Sequence, residues 1–125
     1  MTSEVHSYRD MIVWQRAMDV AVSVYELSRT YPRDELFGMT SQSRRAAASV
    51  AANIAEGYGR ASKQAYINFL RIAQGSLKEL ETHLILATRV GLAPQSATGD
   101  ILSQTDEVGR MLRRLIVKLN DHVGR

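Results

Sequence analysis

The amino-acid sequence predicts an all-α fold, an antiparallel up-down-up-down four-helix bundle that forms a single domain over residues 1–125. Three observations predict this fold. Apolar side chains recur at alternating steps of three and four residues, the spacing of left-handed helix packing. The two prolines, Pro32 and Pro94, lie in turn-like segments outside these repeats. No segment shows the apolar–polar alternation of a half-buried strand.

Three breaks divide the chain. Pro32 and Pro94 mark two of them, because proline lacks a backbone donor and biases the preceding residue away from helix. The other break is segment 57–62, where Gly57 and Gly59 can adopt the left-handed conformation that ends helices and Ser62 can cap the next helix. We therefore predict four helices, near residues 10–30, 40–58, 62–91 and 97–122.

The remaining ends and the core follow from residue type and spacing. Thr40 and Ser96 are predicted N-caps, and Gly91 is a predicted C-terminal stop. The residues expected to face the core are Val13, Ala17, Val20, Val24 and Leu27 in helix 1; Tyr66, Leu70, Ala73, Leu77, Leu80, Leu84 and Ala87 in helix 3; and Ile101, Thr105, Val108, Leu112, Leu115 and Leu119 in helix 4. Helix 2 carries small residues that let a neighbouring helix approach closely: Ala46, Ala47, Ala48, Ala51, Ala52 and Ala55.

Helix 1 carries a second apolar row beside the first, formed by Trp14, Met18, Ala21 and Tyr25. The two rows together cover about half of the helix circumference, more than the ~100° stripe that a surface helix of a lone bundle needs. We predict a subunit interface with Trp14, Met18 and Tyr25 as its anchors, since aromatic residues are favoured there. The alternative is a well-buried helix whose aromatic side chains are partly exposed.

Two polar rows lie on neighbouring helices at steps of three and four. They are Gln42, Arg45, Ser49, Asn53 and Glu56 on helix 2, and Ser76, Glu79 and His83 on helix 3. In an antiparallel hairpin these rows face each other, so we predict that Glu79 pairs with Arg44 or Arg45. The alternative of equal weight is that both rows are solvated faces.

Composition excludes several classes of chemistry. The 125 residues include no cysteine and three histidines, His6, His83 and His122, none of which follows a glutamate by three residues as a di-metal bundle requires. No phosphate-binding glycine loop or nucleophile elbow is present. We therefore expect no enzymatic activity, catalytic residue, metal or cofactor. The first thirty residues contain no apolar signal core, and segment 46–55 is too short to span a membrane, which predicts a cytoplasmic protein.

Basic residues form rows on the last two helices. They are Arg71, Lys78 and Arg89 on helix 3, and Arg110, Arg113, Arg114 and Lys118 on helix 4. In a symmetric oligomer each row would be repeated, and neutralising several phosphates would give salt-sensitive affinity for RNA or DNA. The net charge of only +3 leaves open the alternative of an ordinary polar face.

Two long segments resemble a known family. They are Arg44–Gly57, which reads RRAAASVAANIAEG and is followed by Gly59 and Arg60, and Phe69–Leu84, which reads FLRIAQGSLKELETHL. These segments, with Val13–Ala17 and the Tyr31–Pro32 turn, resemble the four-helix-bundle proteins of 23S rRNA intervening sequences over roughly residues 8 to 120. The matching motifs contain Arg44, Arg45, Asn53, Glu56 and Glu79, which supports a structural polar network.

The resemblance implies a bacterial four-helix bundle that assembles as a homopentamer and has no known enzymatic activity. Relatives include the accessory variability proteins of diversity-generating retroelements, which associate with nucleic acid and with a reverse transcriptase. Two functions follow as hypotheses. The first is a homo-oligomeric scaffold that binds RNA or DNA through the basic rows. The alternative is a protein-interaction or assembly module that binds a protein, such as a reverse transcriptase, and no nucleic acid.

Overall fold

The computed structural model describes residues 6–123 of the chain, with side chains for residues 6–121. It contains four α-helices, and no strand occurs in the described residues: α1 Ile12–Ser28, α2 Ser41–Tyr58, α3 Lys63–Arg89 and α4 Gln95–Val123. Short 3-10 turns span Tyr8–Asp10 and Arg33–Glu35, and a kinked turn spans Leu36–Thr40, where Gly38 has non-helical backbone angles (φ −108°, ψ −112°). The all-α prediction is confirmed, and the helix bounds lie within a few residues of those predicted from sequence.

Each helix packs against two others. α1 contacts α2 and α4, and α3 contacts the same two helices, so the four helices stand in chain order around one core. Thr88 and Thr98 join α3 to α4 through hydroxyls 2.7 Å apart, and Thr105 donates a hydrogen bond to Glu81 at 2.8 Å further along the same pair. Because residue numbers rise on one helix as they fall on the other, the two helices are antiparallel.

The predicted repeats supply most of the core. All the predicted residues of the first row of α1 are buried except Leu27, and those of α3 are buried except Tyr66. In α4 the buried row continues from Leu112 to Ile116, whereas Leu115 and Leu119 are only half-buried. A helix of 3.6 residues per turn drifts relative to a strict heptad repeat, which explains this one-residue shift.

Two of the predicted caps are present and two are not. The Ser62 hydroxyl accepts the Ala65 N–H at 3.1 Å, and Gly91 adopts a φ of +83° just after α3. Thr40 has helical backbone angles and makes no capping bond, because the helical backbone already begins after the kink at Gly38. Ser96 lies inside α4, since the Pro94 carbonyl already accepts the first helical N–H groups.

Gly57 does not take the left-handed conformation expected of it, and neither does Gly59, whose φ is −80°. Gly57 is buried in the last turn of α2, where a Cβ atom would lie 2.9 Å from Phe69 Cβ and 3.0 Å from Tyr66 Cδ1. Its lack of a side chain therefore permits close packing of α2 on α3.

Candidate functional site

An apolar groove of about 600 Å³ runs between α1 and α2. We call it the α1–α2 groove. Its lining comprises Tyr8, Trp14, Met18, Ala21, Val22, Tyr25, Glu26, Arg29, Ala48, Ala51, Ala52 and Ala55. The structure thus brings together the three predicted interface residues, Trp14, Met18 and Tyr25, on one continuous surface. Pockets of this volume are typical of binding sites.

Contacts on both sides hold the aromatic rings of the α1–α2 groove in place. Tyr8 packs edge-to-face on Trp14 with ring centroids 5.2 Å apart. At Tyr25, the Arg44 guanidinium carbon lies 4.6 Å from the ring centroid. Met18 and Tyr25 are 40% and 41% exposed, so they offer apolar surface in a defined position. Such preorganisation lowers the entropic cost of binding.

The floor of the groove comes from α2. Ala46, Ala47 and Ala51 are buried, which confirms that small residues allow close helix approach there. Ala48 and Ala52, however, are exposed and form part of the groove lining, which corrects the prediction for those two positions. Short side chains there leave the space that the larger residues of α1 enclose.

The predicted pairing of Glu79 with Arg44 or Arg45 is wrong. Within residues 6–121 no hydrogen bond or salt bridge joins Glu79 to either arginine. Glu79 instead lies 3.3 Å from His83, one turn along its own helix, and Arg45 bonds to Gln42. Because the Glu79 side chain is half exposed, an ion pair across the hairpin would be screened by water and would contribute little stability.

The two polar rows nevertheless meet at one point. The hydroxyls of Ser49 and Ser76 lie 2.8 Å apart, and Asn53 donates to the Ser49 hydroxyl at 3.0 Å and to its carbonyl at 2.8 Å. Glu56, by contrast, lies 3.9 Å from Arg60 in an exposed pair. The predicted network is therefore a set of separate local contacts.

A second groove, of about 410 Å³, lies between α3 and α4 and contains three of the predicted basic residues. We call it the basic groove; its lining is Arg71, Gln74, Gly75, Leu77, Lys78, Gly109 and Arg113. Within the described side chains, neither Arg71 nor Arg113 has a carboxylate partner. Lys78 pairs with Glu81 at 3.0 Å, and Glu81 also accepts the Thr105 hydroxyl. The Glu81 carboxylate therefore partly neutralises the charge of Lys78. This contact was not predicted from the sequence.

The other predicted basic residues lie outside the basic groove. Arg110 bonds to Asp106 one turn away, which leaves its charge largely compensated. Arg114 lines a polar depression with Arg110 and Glu107. Arg89 and Lys118 are exposed near the C-terminal ends of α3 and α4. Of the seven predicted cations, three therefore line the basic groove and four lie outside it.

The two grooves open on opposite sides of the bundle. α1 and α2 form one adjacent pair of helices, and α3 and α4 form the other. The α1–α2 groove is lined mainly by apolar and aromatic side chains, whereas the basic groove carries the cations Arg71, Lys78 and Arg113. A partner bound to one groove leaves the other open to solvent.

The described residues show neither a metal-binding cluster nor a membrane-spanning helix. No group of three or more His, Cys, Asp or Glu side chains suited to a metal ion occurs among residues 6–121, and the His122 side chain lies outside the described residues. None of the described helices is both long and apolar enough to be a membrane span.

Comparison with known proteins identifies the family. The 23S rRNA-intervening sequence protein profile matches residues 9–114. The chain belongs to the 23S rRNA-intervening sequence protein family. This match covers most of the chain, including the whole lining of the basic groove and that of the α1–α2 groove except Tyr8. It confirms the resemblance predicted from the central motifs.

A solved structure supports membership of the 23S rRNA-intervening sequence protein family. This chain is 26% identical to a Bacteroides thetaiotaomicron protein described as having unknown function and as belonging to the S23 ribosomal protein family. The comparison covers 84% of this chain and 98% of that one, with a TM-score of 0.78. No curated protein matches the sequence.

Proposed function

We propose that this chain is a non-enzymatic scaffold that assembles into a closed homo-oligomer, a pentamer, and binds RNA or DNA. In this proposal the α1–α2 groove forms the subunit interface and the basic groove carries the nucleic acid. The observation that carries the proposal is the placement of these two surfaces on opposite sides of the bundle. Assembly through one surface leaves the other free.

The assembly half of the proposal is supported by the chemistry of the α1–α2 groove. Exposed apolar patches of this kind mark contact surfaces, and aromatic residues are favoured as anchors. In a ring, each copy of the basic groove is repeated by symmetry, so a chain of small net charge presents several equivalent cationic sites.

The nucleic-acid half is supported by Arg71 and Arg113, which line one groove from two different helices without a carboxylate partner in the described side chains. A Cβ at Gly75 would meet no atom within 4 Å, so a backbone phosphate can approach the groove closely there. Guanidinium groups bind phosphate well, and contacts of this kind position a nucleic acid without reading its sequence. The proposal therefore expects weak sequence discrimination.

The assembly test is the mass of the protein in solution. Light scattering at micromolar concentration is expected to give a multiple of the 14.0 kDa chain mass, five-fold for a pentamer. Met18→Glu, which places a charge in the α1–α2 groove, is expected to give monomers. Val117→Glu is the matched control, because Val117 is an exposed apolar residue on α4. A monomeric wild-type protein would reject the assembly half.

The binding test is fluorescence anisotropy with labelled single-stranded RNA and duplex DNA over a salt series. We expect the logarithm of affinity to fall by roughly 0.7 to 0.9 per phosphate neutralised for each unit of log salt. Arg113→Glu should weaken binding more than Arg110→Glu, which makes the same charge change at a residue already bonded to Asp106. If wild-type oligomer retains neither probe at low salt, the protein-interaction module becomes the better account, with a reverse transcriptase among its candidate partners.

A further inference from the structure

Phe37 is the most exposed of the large apolar side chains described, at 90%. It lies with Leu36, itself 45% exposed, in the kinked turn Leu36–Thr40 that precedes α2. Both side chains face water within one subunit, although burying an aromatic or leucine side chain is favourable. We call Leu36 and Phe37 together the apolar knob.

The apolar knob is held on a folded turn. Pro32 introduces the 3-10 turn at Arg33–Glu35, and the Glu35 carboxylate then accepts the Met39 N–H at 3.2 Å. Thr40, at the end of the turn, is buried. The knob therefore projects from a structured base, which reduces the entropy lost when it binds a partner.

We propose that the apolar knob of one subunit inserts into the α1–α2 groove of a neighbouring copy. The α1–α2 groove is apolar, holds about 600 Å³ and contains no side chain of the knob from its own chain. Knob and groove are different surfaces of one chain, so the contact can be head-to-tail, and it then closes into a ring when the rotation between copies permits. The inference rests on the assembly half of the proposed function and names its contact.

Charge complementarity supports a second copy as the occupant. Glu26 and Arg29 line the groove, and Arg33 and Asp34 directly precede the knob. Within residues 6–121 none of these four side chains has an ion-pair partner. Docking the knob allows Arg33 of one copy to face Glu26 of the next, and Asp34 to face Arg29. These rim charges orient the contact, while the apolar knob supplies its affinity.

Phe37→Ala tests the affinity of the contact by sedimentation over a concentration series. We expect the dissociation constant of assembly to rise about 30-fold, the effect of losing ~2 kcal/mol at an anchor residue. Far-ultraviolet circular dichroism should be unchanged, because Phe37 makes little contact within its own subunit. Ile72→Ala is the control, an exposed apolar residue on α3 that should leave assembly intact.

A photo-crosslinking amino acid in place of Phe37 tests where the side chain docks while keeping its aromatic bulk. Irradiation should give covalent dimers, with peptides attached from segments 14–29 and 48–55 of the second chain. A charge exchange adds an independent test: Glu26→Arg should weaken assembly, and combining it with Arg33→Glu should restore it.

The outcomes separate the two proposals. A monomeric wild-type protein would reject the assembly half of the proposed function and this inference with it. A wild-type oligomer that Phe37→Ala leaves unchanged, and whose crosslinks fall outside the α1–α2 groove, would overturn only the knob contact. Crosslinks to the groove of a second chain, together with rescue by the charge exchange, support it.

Discussion

The guanidinium of Arg44 lies over the ring of Tyr25, 4.6 Å from its centroid, while its Nε donates a hydrogen bond to the Ser28 hydroxyl at 2.8 Å. One side chain of α2 thus makes two contacts with α1. The planar guanidinium permits both, because it stacks with its face and donates from its edge. Arg44 therefore holds Tyr25 at the edge of the α1–α2 groove.

Arg44→Lys should lower the free energy of unfolding by about 1–2 kcal/mol, because lysine keeps the charge but loses the stacked, edge-donating geometry. Arg45→Lys is the matched control and should change stability by less than about 0.5 kcal/mol, since Arg45 is exposed. Urea denaturation at one fixed protein concentration measures both. Equal losses for the two variants would contradict the importance of the Arg44 contacts.

Gly57→Ala should destabilise the protein by about 1–3 kcal/mol, because the added Cβ would lie 2.9 Å from Phe69 Cβ. Gly75→Ala provides the comparison on α3, where the added methyl meets no atom within 4 Å. That substitution should instead stabilise by ~0.5–1 kcal/mol through helix propensity. Thermal unfolding of the pair measures the contrast, and a stabilising Gly57→Ala would refute the close-packing explanation.

Trp14→Ala and Tyr25→Ala should differ in their effects. Trp14 is half-buried against the core as well as lining the α1–α2 groove, so its loss should weaken both assembly and subunit stability. Tyr25 is 41% exposed, so apart from the ~0.5–1 kcal/mol of its Arg44 contact its loss should act mainly on assembly. Light scattering measures assembly. Chemical denaturation at a protein concentration low enough for the oligomer to dissociate measures the free energy of unfolding of the subunit. If Trp14→Ala lowers stability while the oligomer persists, Trp14 belongs to the subunit core alone.

Alkaline pH should destabilise the subunit through Tyr66. Burial, with a smaller contribution from Tyr58, raises the pKa of Tyr66 from 10.0 to about 12. Between these two pKa values the folded state retains the Tyr66 proton, whereas the unfolded state releases it. The contribution of Tyr66 to the free energy of unfolding is therefore fully present below pH 10 and is lost as pH rises towards 12. The Tyr66→Phe variant should lose less free energy of unfolding than the wild-type protein between pH 9 and pH 11, as measured by chemical denaturation at each pH. Identical losses in both proteins would exclude Tyr66 as the cause.

Local sequence rules predicted the helices and most of the core. Apolar spacing depends on residues within one or two turns, which is why rows such as Val13 to Val24 were assigned correctly. Ser62 and Gly91 were predictable for the same reason, since a cap depends on its immediate neighbours. Trp14, Met18 and Tyr25, the residues predicted to anchor an interface, lie on one surface, as their helical spacing indicated.

Contacts between helices were decided only by the tertiary structure. Arg44 had several possible partners at similar sequence positions, and it bonds to Ser28 while Glu79 bonds to His83. Shifts of about an ångström in helix position, and differences in solvent exposure, select among such partners. The spacing of residues along the sequence does not specify either quantity. The sequence alone thus determined the four helices and the residues that face their core. The packing of those helices decided which alanines form the floor of the α1–α2 groove, which cations share the basic groove and how far Phe37 projects into solvent.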